Sequence, residues 1–170
     1  MKKYIIILFV IFHFSFIKGQ NLKALDDKDG FRDYKFGDTI TKFTNLKLTE
    51  KSKDGKTAYY NKTDDKLKIG ESDVTIDYVF YEGHFYEVFM ETKGLSNSKG
   101  VLKVLNELYG NGYQDNQYIE KYLWFGSKVT LYYKENSVTN DAIISISSEP
   151  IRKKRKLDEE LKIKEAKKDM

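Results

Sequence analysis

The stretch DVTIDYVFYEGHFYEVFMET, residues 73–92, decides the fold. Two runs rich in β-branched and aromatic residues flank Glu82-Gly83, a pair that suits a two-residue hairpin loop. That loop sets a register in which Tyr81 faces His84, Phe80 faces Phe85, Tyr78 faces Glu87 and Ile76 faces Phe89. Side chains alternate along a strand, so one face collects Val74, Ile76, Tyr78, Phe80, Phe85 and Phe89, the expected core face. The opposite face collects Thr75, Asp77, Val79, Tyr81, His84, Tyr86, Val88 and Met90, less apolar but rich in tyrosine.

Toward the C-terminus, Gly94 to Gly100 reads as a loop ending in an N-cap at Ser96 or Ser98. Val101, Leu102, Leu105, Leu108 and Tyr109 then recur at helical spacing, and Gly110 stops the helix. A second hairpin follows, Tyr118 to Phe125 and Lys128 to Lys134 around Gly126-Ser127. It sets Trp124 against Val129 and Tyr122 against Leu131, with these four and Tyr133 inward. Asp141 to Ser148 supplies a last strand with Ile144 and Ile146 inward, and Pro150, the only proline, ends the sheet.

Toward the N-terminus the signals are weaker. Thr57 to Asn61 and Leu67 to Ile69 read as strands, and Lys47 to Lys56 as a charged loop. Asp38 is placed to cap a short helix carrying Ile40 and Phe43, Phe31 to Phe36 reads as a short strand, and Asn21 to Gly30 as a loose polar lead-in. Ahead of these, Lys2 and Lys3 precede an apolar run from Tyr4 to Ile17. That run falls short of the ~20 residues a membrane span needs and fits an export signal covering residues 1–19. A retained N-terminal anchor in the inner membrane is the alternative. The leader resembles those of Gram-negative exports, which implies a periplasmic or secreted protein.

The net charge of +4 sits in the leader and in the tail from Ile151 onward, and the body between them carries more carboxylates than cations. That balance argues against a nucleic-acid partner. The chain has no cysteine, which excludes disulfides, thiolate metal sites and a thiol nucleophile. In the tail, Asp158/Lys162 and Glu160/Lys164 are spaced to support an exposed helix. The expected organisation is a signal peptide (1–19), a flexible N-terminus (20–30), one α+β domain (31–149) and a charged helical tail (150–170). The fold class is α+β, an antiparallel meander sheet with two helices packed on one face, in the order of a tandem αβββ repeat.

Phe36-Gly37 opening a short helix, the Tyr-rich meander, Leu108-Tyr109-Gly110 and a Trp-bearing strand together resemble small exported bacterial α+β domains. The αβββ order, from about Phe31 to Ser148, resembles the β-lactamase-inhibitor-protein-like and outer-membrane assembly lipoprotein folds. This chain lacks the lipobox cysteine of the assembly lipoproteins and the paired cysteines of the inhibitor proteins, so the resemblance implies a fold and carries over no functional residue.

No catalytic constellation stands out. A general base needs a partner and a pocket, and His84 beside a hairpin turn is placed for neither. The run Asp26-Asp27-Lys28-Asp29-Gly30 lacks calcium-loop spacing and reads as solvated. There is no Walker loop, GxGxxG, HExxH or GxSxG. No cofactor, metal or small-molecule substrate is expected. The expected function is a non-enzymatic protein-binding module of the cell envelope, using Tyr81, His84, Tyr86, Met90 and Tyr132 on the outward sheet face against an envelope protein. The competing reading of the tyrosine strip is a half-wet sheet face or a face that lies beneath the tail helix. The alternative is a structural or accessory envelope protein held to an anionic surface through Arg152, Lys153, Lys154, Arg155 and Lys156. An enzyme of unknown type is the remote third reading.

Overall fold

In a computed structural model, residues 19–168 are described. The leader therefore lies outside the described residues except for Gly19. Among those residues no helix is long and apolar enough to cross a membrane.

The quoted stretch forms β7 (Thr75–Tyr81) and β8 (His84–Glu91), an antiparallel hairpin turning at Glu82-Gly83, where both residues have positive φ. Tyr81 pairs with His84 and Phe80 with Phe85, as the loop dictates. Beyond them the register shifts: Val79 pairs with Glu87, Tyr78 with Val88 and Ile76 with Met90. A bulge at Tyr86 adds one residue to β8, and one residue is enough to exchange the faces of everything that follows. Val88 and Met90 therefore enter the core, and Phe89 turns outward into the cluster on the other face. The expectation of Met90 outside and Phe89 inside is corrected by that bulge.

The main sheet adds β3 (Leu46–Lys51), β4 (Thr57–Lys62), β9 (Lys121–Phe125), β10 (Val129–Glu135) and β11 (Ala142–Ser148). Its order is β3-β4-β7-β8-β11-β10-β9, antiparallel throughout. Two meanders thus meet at the centre through their last strands, β8 and β11. In the second hairpin Trp124 pairs with Leu131 and Tyr122 with Tyr133, two residues from the expected register. A slip of two preserves the faces, so Trp124, Val129, Leu131 and Tyr133 are buried as expected.

The inner face is covered by α1 (Leu22–Lys28) and α2 (Gly94–Tyr109), through Leu25, Val101, Leu102 and Leu105. Helix α2 starts before either serine. The Asp141 carboxylate accepts from the Gly94 N–H at 2.9 Å, while buried Ser98 bonds Thr92 and the Asn140 carbonyl. Trp124, fully buried, donates its indole N–H to the Gly110 carbonyl at 2.8 Å, which ties the helix end to β9.

The N-terminal segment is more ordered than its composition suggests. Asn21 caps α1, and Asp26 on that helix accepts from the backbone N–H groups of Ser127, Lys128 and Val129 and from the Ser127 hydroxyl, at 2.7–3.0 Å. Burial works against the charged form of Asp26, but these donors outweigh it and hold the carboxyl below its ordinary range. The expected strand at residues 31–36 is a small hairpin of β1 (Gly30–Phe31) and β2 (Tyr34–Lys35). The expected helix after Asp38 shrinks to a 3₁₀ turn, Ile40–Lys42, because Thr39 and Thr41 favour extended backbone. Phe43 is still buried, stacked on Tyr34 with centroids 3.8 Å apart. The expected charged loop contains edge strand β3, guarded by lysines and a bulge between Leu48 and Glu50. A further small hairpin joins β5 (Lys68–Ile69) to β6 (Ser72–Asp73). The tail forms helix α3 (Glu149–Ala166), with proline in its first turn.

Candidate binding surface on the outer sheet face

The outer face divides in two. Helix α3 leaves β11 at Ser148 and crosses β8 and β7 toward the turn between β3 and β4. Beneath it Val79, Tyr81 and Tyr86 are buried, packed with Tyr59, Phe89 and Ile151. The rest of the helix interface is polar. The Tyr81 hydroxyl donates to Asp158 at 2.6 Å, and Arg155 donates to the Tyr86 hydroxyl at 2.8 Å. Lys154 pairs with Glu82 at 2.6 Å and with Asp158 at 2.9 Å, and its ammonium lies 5.1 Å from the Tyr81 ring centre. The Arg155 guanidinium lies 5.6 Å from the Tyr86 ring centre. Farther along, Lys162 reaches Asp54.

These contacts tune the groups that make them. The Tyr81 hydroxyl bond, and then Lys154, pull the Asp158 carboxyl down to about 2. Burial, followed by the Glu87 charge, pushes the Tyr86 phenol well above its ordinary value. The bond to Lys162 is the largest cause of a depressed Asp54 carboxyl.

The second half, over β9, β10 and β11, is open. Between α3 and β9 lies a groove of about 330 Å³, floored by Tyr132, Thr130 and Ser145 and walled by Leu123 and Phe125 on one side and by Arg152 and Arg155 on the other. Phe125 is 52% exposed and Tyr132 half-buried. Arg152 pairs with Glu149 at 2.6 Å, and Glu149 also accepts from Thr130. Glu87, at the edge of the groove, accepts from Ser145. The Arg155 Nε is buried without a hydrogen-bond partner among the described residues.

The structure therefore redistributes the residues read from the sequence. Tyr81 and Tyr86 lie under α3, Tyr132 is in the open groove, and Met90 is in the core on the other side of the sheet. His84 is exposed at the hairpin tip, its Nδ1 3.1 Å from the Glu82 carbonyl, apart from the groove. Of the five cations from Arg152 to Lys156, Lys154 and Arg155 turn onto the sheet and Arg152 lines the groove. Lys153 and Lys156 are exposed, Lys156 standing 3.8 Å from Glu160. Leu123, Phe125, Thr130, Ser145 and Glu87 were not anticipated as site residues. One signal for the covered half was legible: Val79-Phe80-Tyr81 and Phe85-Tyr86 break strict alternation, as strands buried on both faces do.

No family model matches the chain, and no curated protein or solved structure matches it either.

Proposed function

We propose that the chain is an exported, non-enzymatic protein-binding module of the cell envelope, and that its docking surface is the open groove between α3 and β9. The observation that supports this reading is the composition of that groove, where Tyr132 and Phe125 share one accessible surface with Arg152 and Arg155. Aromatic side chains and arginine supply most of the energy in protein interfaces, and here they stand together along one groove. The partner is a segment of another envelope protein that presents an apolar side chain to Phe125 and a carboxylate to the arginines. The compartment comes from the leader reading of residues 1–19.

The double variant Tyr132→Ala/Arg152→Glu tests the reading. A chain beginning at Gln20, immobilised and exposed to native envelope extract, should retain a specific protein that the double variant loses, with both melting at the same temperature. Retention of that protein by the variant, or a melting loss large enough to account for its disappearance, removes the proposal. Tyr81→Ala and Tyr86→Ala are unsuitable probes, because both rings are buried under α3.

A further inference from the structure

On the opposite side of the sheet, a cavity of about 180 Å³ enters the core between α1, α2 and the strands β8 and β11. Its walls are Phe31, Met90, Val101, Leu105 and Ile146, all buried. Lys28 and Leu108, both exposed, mark its mouth. Apolar cavities of about 150 Å³ stay dry and accept a benzene ring, so this one has room for a ring and little more. A void of this kind leaves its wall atoms without partners on one side, a deficit that an apolar ligand removes.

The mouth is chemically distinct from the walls. Arg32, which also lines the cavity, is already committed, paired with Asp65 and lying over the Phe31 ring at 5.1 Å. Lys28 donates to the Arg32 carbonyl but pairs with no carboxylate among the described residues. Tyr109, half-buried, lines the same cavity.

We propose that this cavity binds a small monocarboxylate with a ring-sized apolar body, the body lodged between α2 and the sheet and the carboxylate at the Lys28 ammonium. The site is separate from the outer groove and stands or falls independently of it. Apolar walls with a polar group at the mouth follow the general plan of ligand pockets.

Methyl-labelled protein titrated with phenylacetate, benzyl alcohol and acetate provides the test. Phenylacetate should shift the Val101, Leu105 and Ile146 methyl signals and bind about threefold or more tighter than benzyl alcohol, the scale of one partly exposed charge pair. Acetate should leave those methyls unmoved. Lys28→Gln should remove the preference for the acid while leaving the alcohol unchanged, and Val104→Phe, which fills the cavity, should abolish both. Unmoved methyls at millimolar phenylacetate, equal affinity for acid and alcohol, or undiminished binding in Val104→Phe would each overturn the proposal.

Discussion

Each face of the central sheet carries a helix, the outer one over only part of its area, and the two are held by different physics. On the inner face α2 buries Val101, Leu102 and Leu105 in the same apolar cluster as Ile76, Leu131 and Tyr133, and hydrogen bonds there serve mainly to satisfy buried polar groups. On the outer face α3 contributes Ile151 to a small apolar cluster and otherwise holds on through Lys154, Arg155, Asp158 and Lys162. Its apolar residues Leu157, Leu161 and Ile163 stay exposed. Burial is cooperative and insensitive to salt, whereas exposed ion pairs are individually weak and screened. One sheet thus carries a cover that defines the fold beside a cover that merely adheres to it.

The largest effect should come from breaking the inner cover. Trp124 is the largest fully buried side chain and carries the bond to Gly110. Trp124→Ala should cost about 3–5 kcal/mol by urea denaturation, and comparable stability in the variant would mean that the inner face does not dominate.

A smaller loss is expected at Asp26, the charged clamp between α1 and the tip of the second hairpin. Asp26→Ala, which strips four donors of their acceptor, should cost about 2 kcal/mol at neutral pH. The folded state depresses this carboxyl, so its contribution is complete above the ordinary carboxylate range and disappears as pH falls through the depressed value. The gap between wild type and Asp26→Ala should therefore close in acid. A gap that stays constant down to pH 2 would show that the carboxylate charge is not what the clamp uses.

What could be read from the chain follows the range of the forces. Local chemistry was legible: Glu82-Gly83 dictated the turn, Gly110 the end of α2, and alternation the inner faces of β9, β10 and β11. The bulge at Tyr86 was not legible, because a two-residue loop determines only the pairs beside it and the extra residue satisfies packing on both faces. Helix α1 was missed for a related reason. Seven residues are too few to show a period, and what holds them is the bond of Asp26 to a loop about a hundred positions away. The candidate surface suffered most. The tyrosine strip and the basic tail are each legible, and read first as two separate places for partners to bind, with the strip lying beneath the tail helix only as the competing reading. They are 69 and 77 residues apart at their closest bonds, and the structure shows them largely satisfying each other.

The smallest expected effect is the sharpest discriminator between the two faces, because it leaves the fold intact. At about 1 M salt the screening length falls to ~3 Å, about the contact distance of the ion pairs on the outer interface, and exposed pairs of this kind weaken. The distal half of α3, tied down mainly through Lys162 and Asp54, should lose amide protection in hydrogen exchange. The proximal half should keep it, because Ile151 is packed and the Arg155–Tyr86 contact is partly buried and screened less. Arg155→Ala should extend the salt-induced loss into that proximal half, at a cost of about 1 kcal/mol to overall stability. Amides of β7 and β8 should be unchanged in every case, since their ladder is held from the inner side. Uniform protection along α3 in high salt would mean that the outer cover is as firmly built as the inner one. Simultaneous loss in α3 and β8 would mean that the two covers are a single cooperative unit.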